Sequence, residues 1–251
     1  MGRRVSRHES LAVVLRRWPY SENSQVVHLL TPHAGLVPVL AKGVHRLQSG
    51  QAGVLDTHAL VRVVYSESAD RELRTLIRAE LLDRFSALSR RIEALNAAAL
   101  LAELAELAAP PDTPSREVFL FLVESLQALD QGQVHTAHLV PRLLRATELL
   151  GLQPDLGPAA IQAPVWFSVS AGRVLEEGAP RPEGHALRVS PAMHAALQAA
   201  REHPGEALPG DDSLADDCLT MLGQFLGYHL ERPPRAWQAI EERRATTHAT
   251  R

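Results

Sequence analysis

The chain has 251 residues, 45% of them apolar and 22% charged, which is the composition of a globular protein with one or two domains. Its single cysteine, Cys218, excludes an intramolecular disulfide and a thiolate metal cluster. No stretch approaches the roughly 18 apolar residues of a membrane span, and no apolar run typical of a secretory signal follows the basic N-terminus. We therefore expect a cytoplasmic protein without a membrane partner.

The formal net charge of −3 is unevenly distributed. Residues 1–80 carry 11 basic and 7 acidic side chains, whereas residues 81–251 carry 15 and 22. Such an asymmetry is expected of a nucleic-acid-binding module joined to a second domain. Apart from histidine, every basic side chain except Lys42 is an arginine, which a GC-rich genome explains as well as function does.

The first third of the chain has the pattern of short β-strands separated by turn residues. Pro32 and Gly35 supply the turn between the second and third strands. The fifth segment fits a helix or a strand, and we assign a strand because four others precede it. The predicted strands are residues 9–15, 24–30, 36–41, the alternating part of 54–65, and 72–79. Five strands in about 80 residues predict an OB-like barrel.

From residue 86 onward the spacing of apolar residues changes to that of helices. A Pro/Gly-rich insertion at about 152–189 contains one hairpin, formed by residues 165–169 and 173–175. The predicted helices are residues 86–108, 112–129, 134–150, 190–202, 211–231 and 235–244. The sequence therefore predicts an α+β protein with a five-stranded OB-fold barrel at 1–82 and a mostly α-helical domain at 83–251.

The sequence gives little support for an enzyme. The P-loop, the dinucleotide-binding fingerprint, G-x-S-x-G and H-E-x-x-H are absent. His135 and His138 fit surface histidines better than a metal site, and Cys218 fits a core thiol better than a nucleophile. The acidic residues at 211–217 favour a helix N-terminus, with a metal-dependent nuclease as the rival interpretation. We expect no enzymatic activity and no cofactor.

The positive signal is a basic set on the predicted strands and the loop that follows the third strand. These side chains can neutralise phosphates, while Trp18, Tyr20 and His45 offer rings on which bases stack. The alternative is an ordinary solvated surface, with Trp18 and Tyr20 packed in the core. The basic residues are Arg16, Arg17, Lys42, Arg46, Arg74 and Arg78.

Several short motifs resemble those of the bacterial RecO recombination-repair family. They are P-Y-S-E-x-S at 19–24, Thr31 with Gly35-Leu36, A-K-G at 41–43 with Arg46 and Ser49, and L-x-x-L-x-x-A-E at 73–80. The late stretch 222–230, followed by Arg232, is also similar. The resemblance is carried mainly by residues 10–80; across the helical region it is one of layout.

The resemblance implies an OB fold followed by a helical domain, located in the cytoplasm at the nucleoid. It implies binding to single- and double-stranded DNA, annealing of complementary strands, and loading of RecA onto DNA coated with single-strand-binding protein (SSB). RecR and the acidic C-terminal tail of SSB would be partners. Lys42, Gly43 and Arg46 match the family's DNA-contacting loop. A protein-binding adaptor with weak or absent DNA binding is the alternative.

Two departures from the family pattern affect these expectations. Many members carry a four-cysteine zinc site, but the corresponding positions here lie near Ala159, Gln162, Leu175 and Gly178, which offer no thiolate. The hairpin must therefore be held by packing. The loop after Lys42 is also less basic than usual, and its histidine at position 45 predicts tighter DNA binding below neutral pH.

The acidic helical domain is expected to bind proteins rather than DNA. An acidic tail that ends in an aromatic residue needs an apolar notch beside a cation. Arg142 and Arg145, which lie among leucines of the third predicted helix, are the candidates for that cation.

Overall fold

The structure is a computed structural model that describes residues 5–42, 53–68 and 73–249. The chain divides into two compact units. The first unit comprises Met1–Ile92 and Ala102–Gln131, and the second comprises Glu93–Leu101 and Gly132–Arg251. Among the described residues, none of the helices has the length and apolar character needed to cross a membrane.

The first unit contains five strands that form a closed barrel in the order β1-β2-β3-β5-β4. The ladders are antiparallel except for the seam between β3 and β5, which is parallel and joins Val39 to Arg74 and Leu40 to Thr75. The strands are β1 (Val5–Ser21), β2 (Ser24–Thr31), β3 (Gly35–Lys42), β4 (Leu60–Ser68) and β5 (Arg74–Asp83). The prediction of five N-terminal strands in an α+β protein is confirmed.

Alternation of side chains fills the barrel. Along β3, Val37, Val39 and Ala41 are buried while the residues between them are partly exposed. They pack in one cluster with residues of other strands, such as Val27 of β2 and Val61 of β4. Because successive strand side chains point to opposite faces, one set forms the core and the other reaches the surface.

β1 is much longer than the predicted 9–15. Its first half pairs with β4, from Val5 opposite Ser68 to Val13 opposite Leu60, and its second half pairs with β2. Irregularities in register lie between Val14 and Arg16 and near its end. An extra residue of this kind bends a strand, and it allows one strand to serve two neighbours in a closed sheet.

Tight packing surrounds the turn between β2 and β3. Gly35 has a φ of +56°. Both Gly35 and Leu36 form an isolated β-bridge with Pro111. Thr31 donates its hydroxyl to the Gly35 carbonyl at 3.2 Å and accepts the Ala34 N–H at 3.2 Å. The turn chemistry predicted for this segment is therefore present.

His58, just before β4, is only 9% exposed and has a φ of +72°. Its N–H donates to the Val14 carbonyl at 2.7 Å. Burial lowers the pKa of His58 from 6.5 to about 4. The unfolded chain therefore takes up this proton first as the pH falls.

We expect His58 to make the protein less stable as the pH falls from about 6.5 towards 4, by roughly 2 kcal/mol at pH 5. Asn tolerates a positive φ and does not titrate there, so His58→Asn is expected to lose less stability between pH 7.5 and pH 5. Urea denaturation at both pH values measures this. His33→Asn, at an exposed histidine of the same unit, is the control. Equal losses in wild type and His58→Asn would contradict the prediction.

The helices agree with the predicted order but differ at their ends. The predicted 86–108 helix begins only at residue 92, after a 3-10 turn at Leu88–Arg90. The last helix extends past residue 244. The helices are α1 (Ile92–Ala108), α2 (Arg116–Asp130), α3 (Thr136–Leu149), α4 (Pro191–Glu202), α5 (Asp212–His229) and α6 (Arg235–Ala249). α2 belongs to the first unit, and α3 to α6 belong to the second.

The second unit also contains a small antiparallel sheet in the order β7-β6-β8. β6 (Val165–Ser168) and β7 (Arg173–Val174) form the predicted hairpin. β8 (Ala186–Val189) was not predicted, because four residues after a glycine-rich loop carry too little alternation. Phe167 is fully buried, and its ring centroid lies 6.1 Å from that of Phe225 on α5, so the hairpin packs against this helix.

Candidate nucleic-acid interface

Three neighbouring strands bring aromatic rings and a lysine to one end of the barrel. Lys42, the last residue of β3, lies opposite Ser24, which in turn lies opposite Ser21 of β1. Tyr20 is 62% exposed and Trp18 is 40% exposed. We call Trp18, Tyr20 and Lys42 the aromatic strand end. The alternative in which Trp18 and Tyr20 pack in the core is wrong.

A carboxylate on α1 supports the tryptophan of this strand end. Glu106 Oε1 lies 3.1 Å from His28 Nδ1, and its Oε2 lies 2.7 Å from Arg16 Nη2. The His28 ring meets Trp18 edge-on, with a centroid distance of 4.8 Å. Nothing local in the sequence pointed to Glu106, because it lies far along the chain from Trp18. Its contacts orient His28, and His28 in turn limits the positions open to the indole.

Arg17 does not share the contacts of its neighbour. Its Nη1 lies 3.2 Å from Asp56 Oδ1, and Arg84 contacts the other oxygen of the same carboxylate. In the ladder with β2, Arg17 lies opposite Val27, a residue of the barrel core, whereas Arg16 lies opposite His28. Adjacency in sequence therefore does not place the two arginines in one cluster.

Arg74 is occupied inside the first unit. Its side chain is 12% exposed, and Nη2 lies 3.0 Å from Glu67 Oε1 and also contacts Asp112. Burial disfavours its charged form, but the bond with Asp112 and the charge of Glu67 raise the pKa of Arg74 above its ordinary value. This guanidinium joins β4 and β5 to the segment before α2, and its place in a DNA groove stays a prediction.

Of the remaining residues predicted to contact DNA, the structure describes only Arg78. Arg78 lies exposed on β5, opposite Val64 of β4. Gly43, His45 and Arg46 lie outside the described residues, as does most of the loop that carries them.

Arg142 and Arg145, the cations predicted for an acidic tail, both have contacts inside the second unit. Arg142 is only 7% exposed and donates to the His138 carbonyl and, at 2.6 Å, to Gln133 Oε1. Burial lowers the pKa of Arg142. Arg145 contacts Glu148 one turn along α3. The Arg142 guanidinium therefore forms hydrogen bonds inside the second unit, and its contact with a peptide stays a prediction.

The residues considered for catalysis are buried, cap a helix or form hydrogen bonds within the second unit. Cys218 is fully buried, and burial followed by the charge of Asp217 raises its pKa to about 12, so its thiol is held protonated. Asp211 accepts the Leu214 N–H at 2.9 Å and caps α5, as the helix-start interpretation predicts. Asp216 accepts a hydrogen bond from Thr136 at 3.2 Å. Within the described parts of the chain, no group of three or more His, Cys, Asp or Glu is placed to hold a metal ion.

Comparison with known proteins gives two family matches that cover most of the chain. The family model "Recombination protein O N terminal" matches residues 5–85, and "Recombination protein O C terminal" matches residues 89–238. These matches define a DNA repair and recombination protein. The chain belongs to the RecO family.

Relatives named DNA repair protein RecO match all or part of the chain. The protein of Anaeromyxobacter dehalogenans is 29% identical over 248 residues, covering 95% of this chain and 97% of the relative. That of a Roseiflexus species is 27% identical, covering 96% and 87%. The match to the Salinibacter ruber protein is 28% identical and spans 61% of this chain and 59% of that relative.

Proposed function

We propose that this chain is a non-enzymatic recombination mediator that needs no cofactor. Its first unit is an OB fold that binds single- and double-stranded DNA, and the protein anneals complementary strands. With RecR, and through the acidic C-terminal tail of SSB, it helps to load RecA onto SSB-coated DNA at the nucleoid. The proposal is supported by the aromatic strand end, which presents two exposed rings beside Lys42 in a chain of the RecO family.

The aromatic strand end offers both interactions that single-strand binding uses. Stacking of a base on an exposed ring contributes about 1–3 kcal/mol and does not depend on sequence. Lys42 and the neighbouring arginines neutralise phosphates, and release of the condensed counterions then favours binding. Neutralising two strands at once lowers the repulsion that slows their pairing, which is the basis of annealing.

Arg16 and Arg17 remain available to DNA despite their carboxylate partners. Their side chains are 46% and 44% exposed. Asp56 is 34% exposed, and an ion pair as exposed as Arg17–Asp56 is worth only about 0–1 kcal/mol, so a phosphate competes with Asp56 at little cost. Glu106 is only 14% exposed, so displacing it from Arg16 costs more. The carboxylates instead keep both guanidinium groups oriented in the absence of DNA.

The test is the affinity for a labelled single-stranded oligonucleotide across a salt series. We expect the wild-type affinity to fall steeply with salt. Lys42→Ala/Arg46→Ala is expected to bind about 10-fold more weakly and to reduce the salt slope by about 1.4, because each phosphate contact on a single strand contributes about 0.7. Arg90→Ala/Arg91→Ala removes two exposed charges from the same unit and is the matched control.

A different outcome would favour the adaptor. The internal pairing of Arg74, together with the carboxylates at Arg16 and Arg17, is the observation that supports that alternative. If the wild type barely binds, or if Lys42→Ala/Arg46→Ala behaves like the control, the DNA-binding proposal is refuted. Binding to RecR or to the SSB tail would then carry the function.

A further inference from the structure

Two arginines in the second unit converge on one tryptophan. Trp166 lies on β6, and the Arg188 guanidinium carbon is 4.9 Å from the centroid of its ring. The Arg181 guanidinium carbon, from the loop between β7 and β8, is 5.5 Å from the same centroid. Arg188 lies directly opposite Trp166 in the ladder, so both side chains leave the same face of the sheet. We call these three residues the Arg–Trp–Arg cluster.

The other face of this sheet is built into the core. Val165 and Phe167, on either side of Trp166, are 2% and 0% exposed. Trp166 is half-buried, and Arg181 and Arg188 are exposed. The hairpin backbone is fixed by hydrogen bonds from Leu175 N–H to the Trp166 carbonyl at 2.7 Å and from Val174 N–H to the Asp155 carbonyl at 2.9 Å. The cluster is therefore presented to solvent on a well-supported strand.

The charges of this cluster are not balanced locally. Within the part of the chain that the structure describes, neither Arg181 nor Arg188 forms an ion pair with a carboxylate. Each guanidinium is attracted to the electron-rich face of the half-buried Trp166 ring. Two cations on one ring also repel each other, and an anion that bridges them removes that repulsion.

The net charge of this segment does not show where its positive charges lie. The segment 165–190 contains three arginines and three glutamates, so it is neutral as a whole. Of those glutamates, Glu177 accepts the N–H groups of Gln162 and Ala163 on the preceding loop. The fold therefore groups Arg181 and Arg188 at the indole while it engages Glu177 elsewhere. Exposed Arg173, opposite Ser168, adds a third cation on the same face as Trp166.

We propose that the Arg–Trp–Arg cluster binds the phosphodiester backbone of single-stranded DNA. The ring keeps both guanidinium carbons within 5.5 Å of its centroid, and their N–H groups donate to phosphate oxygens. A base then stacks on a guanidinium group of this exposed pair. Paired cations with an aromatic platform are the combination that single-strand binders use.

The Arg–Trp–Arg cluster is a second DNA site, in addition to the aromatic strand end of the first unit. This inference rests on the proposed DNA-binding function. It gives the second unit a DNA contact of its own within an otherwise acidic region. Annealing requires that one protein handle two strands, and a site in each unit meets that requirement.

The test uses the full-length protein and a labelled oligothymidine in a salt series. Arg181→Gln/Arg188→Gln is expected to weaken binding about 10-fold at low salt and to reduce the salt slope by about 1.4. Trp166→Ala is expected to weaken binding, whereas Trp166→Phe keeps a platform and retains most of it. The matched control is Arg201→Gln/Arg232→Gln, which removes two exposed charges from the same unit and is expected to change affinity less than 2-fold. Circular dichroism establishes that each variant is folded.

The outcomes separate this inference from the proposed function. If Arg181→Gln/Arg188→Gln binds oligothymidine as the Arg201/Arg232 control does, the inference is refuted. If Lys42→Ala/Arg46→Ala weakens binding in the same experiment, the proposed function is supported and only the inference about the cluster is refuted. Loss of binding to polyglutamate with unchanged oligothymidine affinity would identify a peptide site and also refute it. A wild type that does not bind oligothymidine would overturn both.

Discussion

Replacing Gly223 with alanine is expected to destabilise the second unit by about 3 kcal/mol, the upper part of the range for an overpacked core. Gly223 lies in α5, and a Cβ there would be 1.8 Å from Cζ2 of Trp237 and 2.6 Å from its Cε2. Trp237, on α6, is 7% exposed, and its rigid ring has no flexible end to move aside. α6 would have to shift or its tryptophan leave the core.

Denaturant unfolding of Gly223→Ala beside Gly227→Ala measures this effect. Gly227 lies one turn later in the same helix, and a Cβ there meets nothing within 4 Å. Alanine favours a helix interior by about 0.8–1.0 kcal/mol over glycine, so Gly227→Ala is expected to stabilise the protein. Changes of the same sign in the two variants would contradict the prediction.

Gly35→Ala is expected to cost the first unit about 3 kcal/mol, for two reasons that add. The φ of +56° is unfavourable for an L side chain, and the new Cβ would lie 2.2 Å from the Pro110 carbonyl oxygen and 2.8 Å from that of Thr113. Both are backbone atoms of the segment before α2, so no side-chain rotation relieves the clash.

Gly151→Ala isolates the conformational part of that cost. Gly151 has a φ of +71°, but a Cβ there meets nothing within 4 Å. We expect it to lose about 1 kcal/mol, the cost of a left-handed backbone alone. The difference between the two variants in chemical denaturation reports the steric term at Gly35. If Gly35→Ala lost no more than Gly151→Ala, the close approach to Pro110 would be irrelevant to stability.

Local pattern was enough to predict the strands whose side chains alternate cleanly. β2 and β3 were predicted to within a residue at each end, because the turn between them is marked by Pro32 and Gly35. β1 was too short in the prediction, because a bulge continues the strand through Arg16 and Trp18, where alternation by two no longer applies. β8 carries too few residues for any period to be recognised.

The candidate site was predictable in its residue types and much less so in its partners. Lys42 follows from motif and strand position, whereas the exposure of Trp18 and Tyr20 does not, because packing in the core fitted the sequence equally well. A positive charge in the sequence does not reveal whether the guanidinium already has a partner. Arg74 and Arg142 were chosen because they are positively charged, but they contact Glu67 and Gln133 inside their own units. The pairing of Arg16 with Glu106 joins residues far apart in the chain, which only the fold brings together.

The parallel seam between β3 and β5 has a consequence for the order in which the barrel folds. β1, β2 and β3 follow one another through short turns, so their ladders close small loops at modest entropic cost. In the described residues the seam pairs Val39 with Arg74 and Leu40 with Thr75, and the two strands lie more than 30 residues apart in sequence, with β4 between them. Non-local pairing of this kind is slow to form, so the cylinder closes last beside Lys42. Until then β3 is a free strand edge, and a nascent chain that ends before β5 exposes it to pairing with other chains.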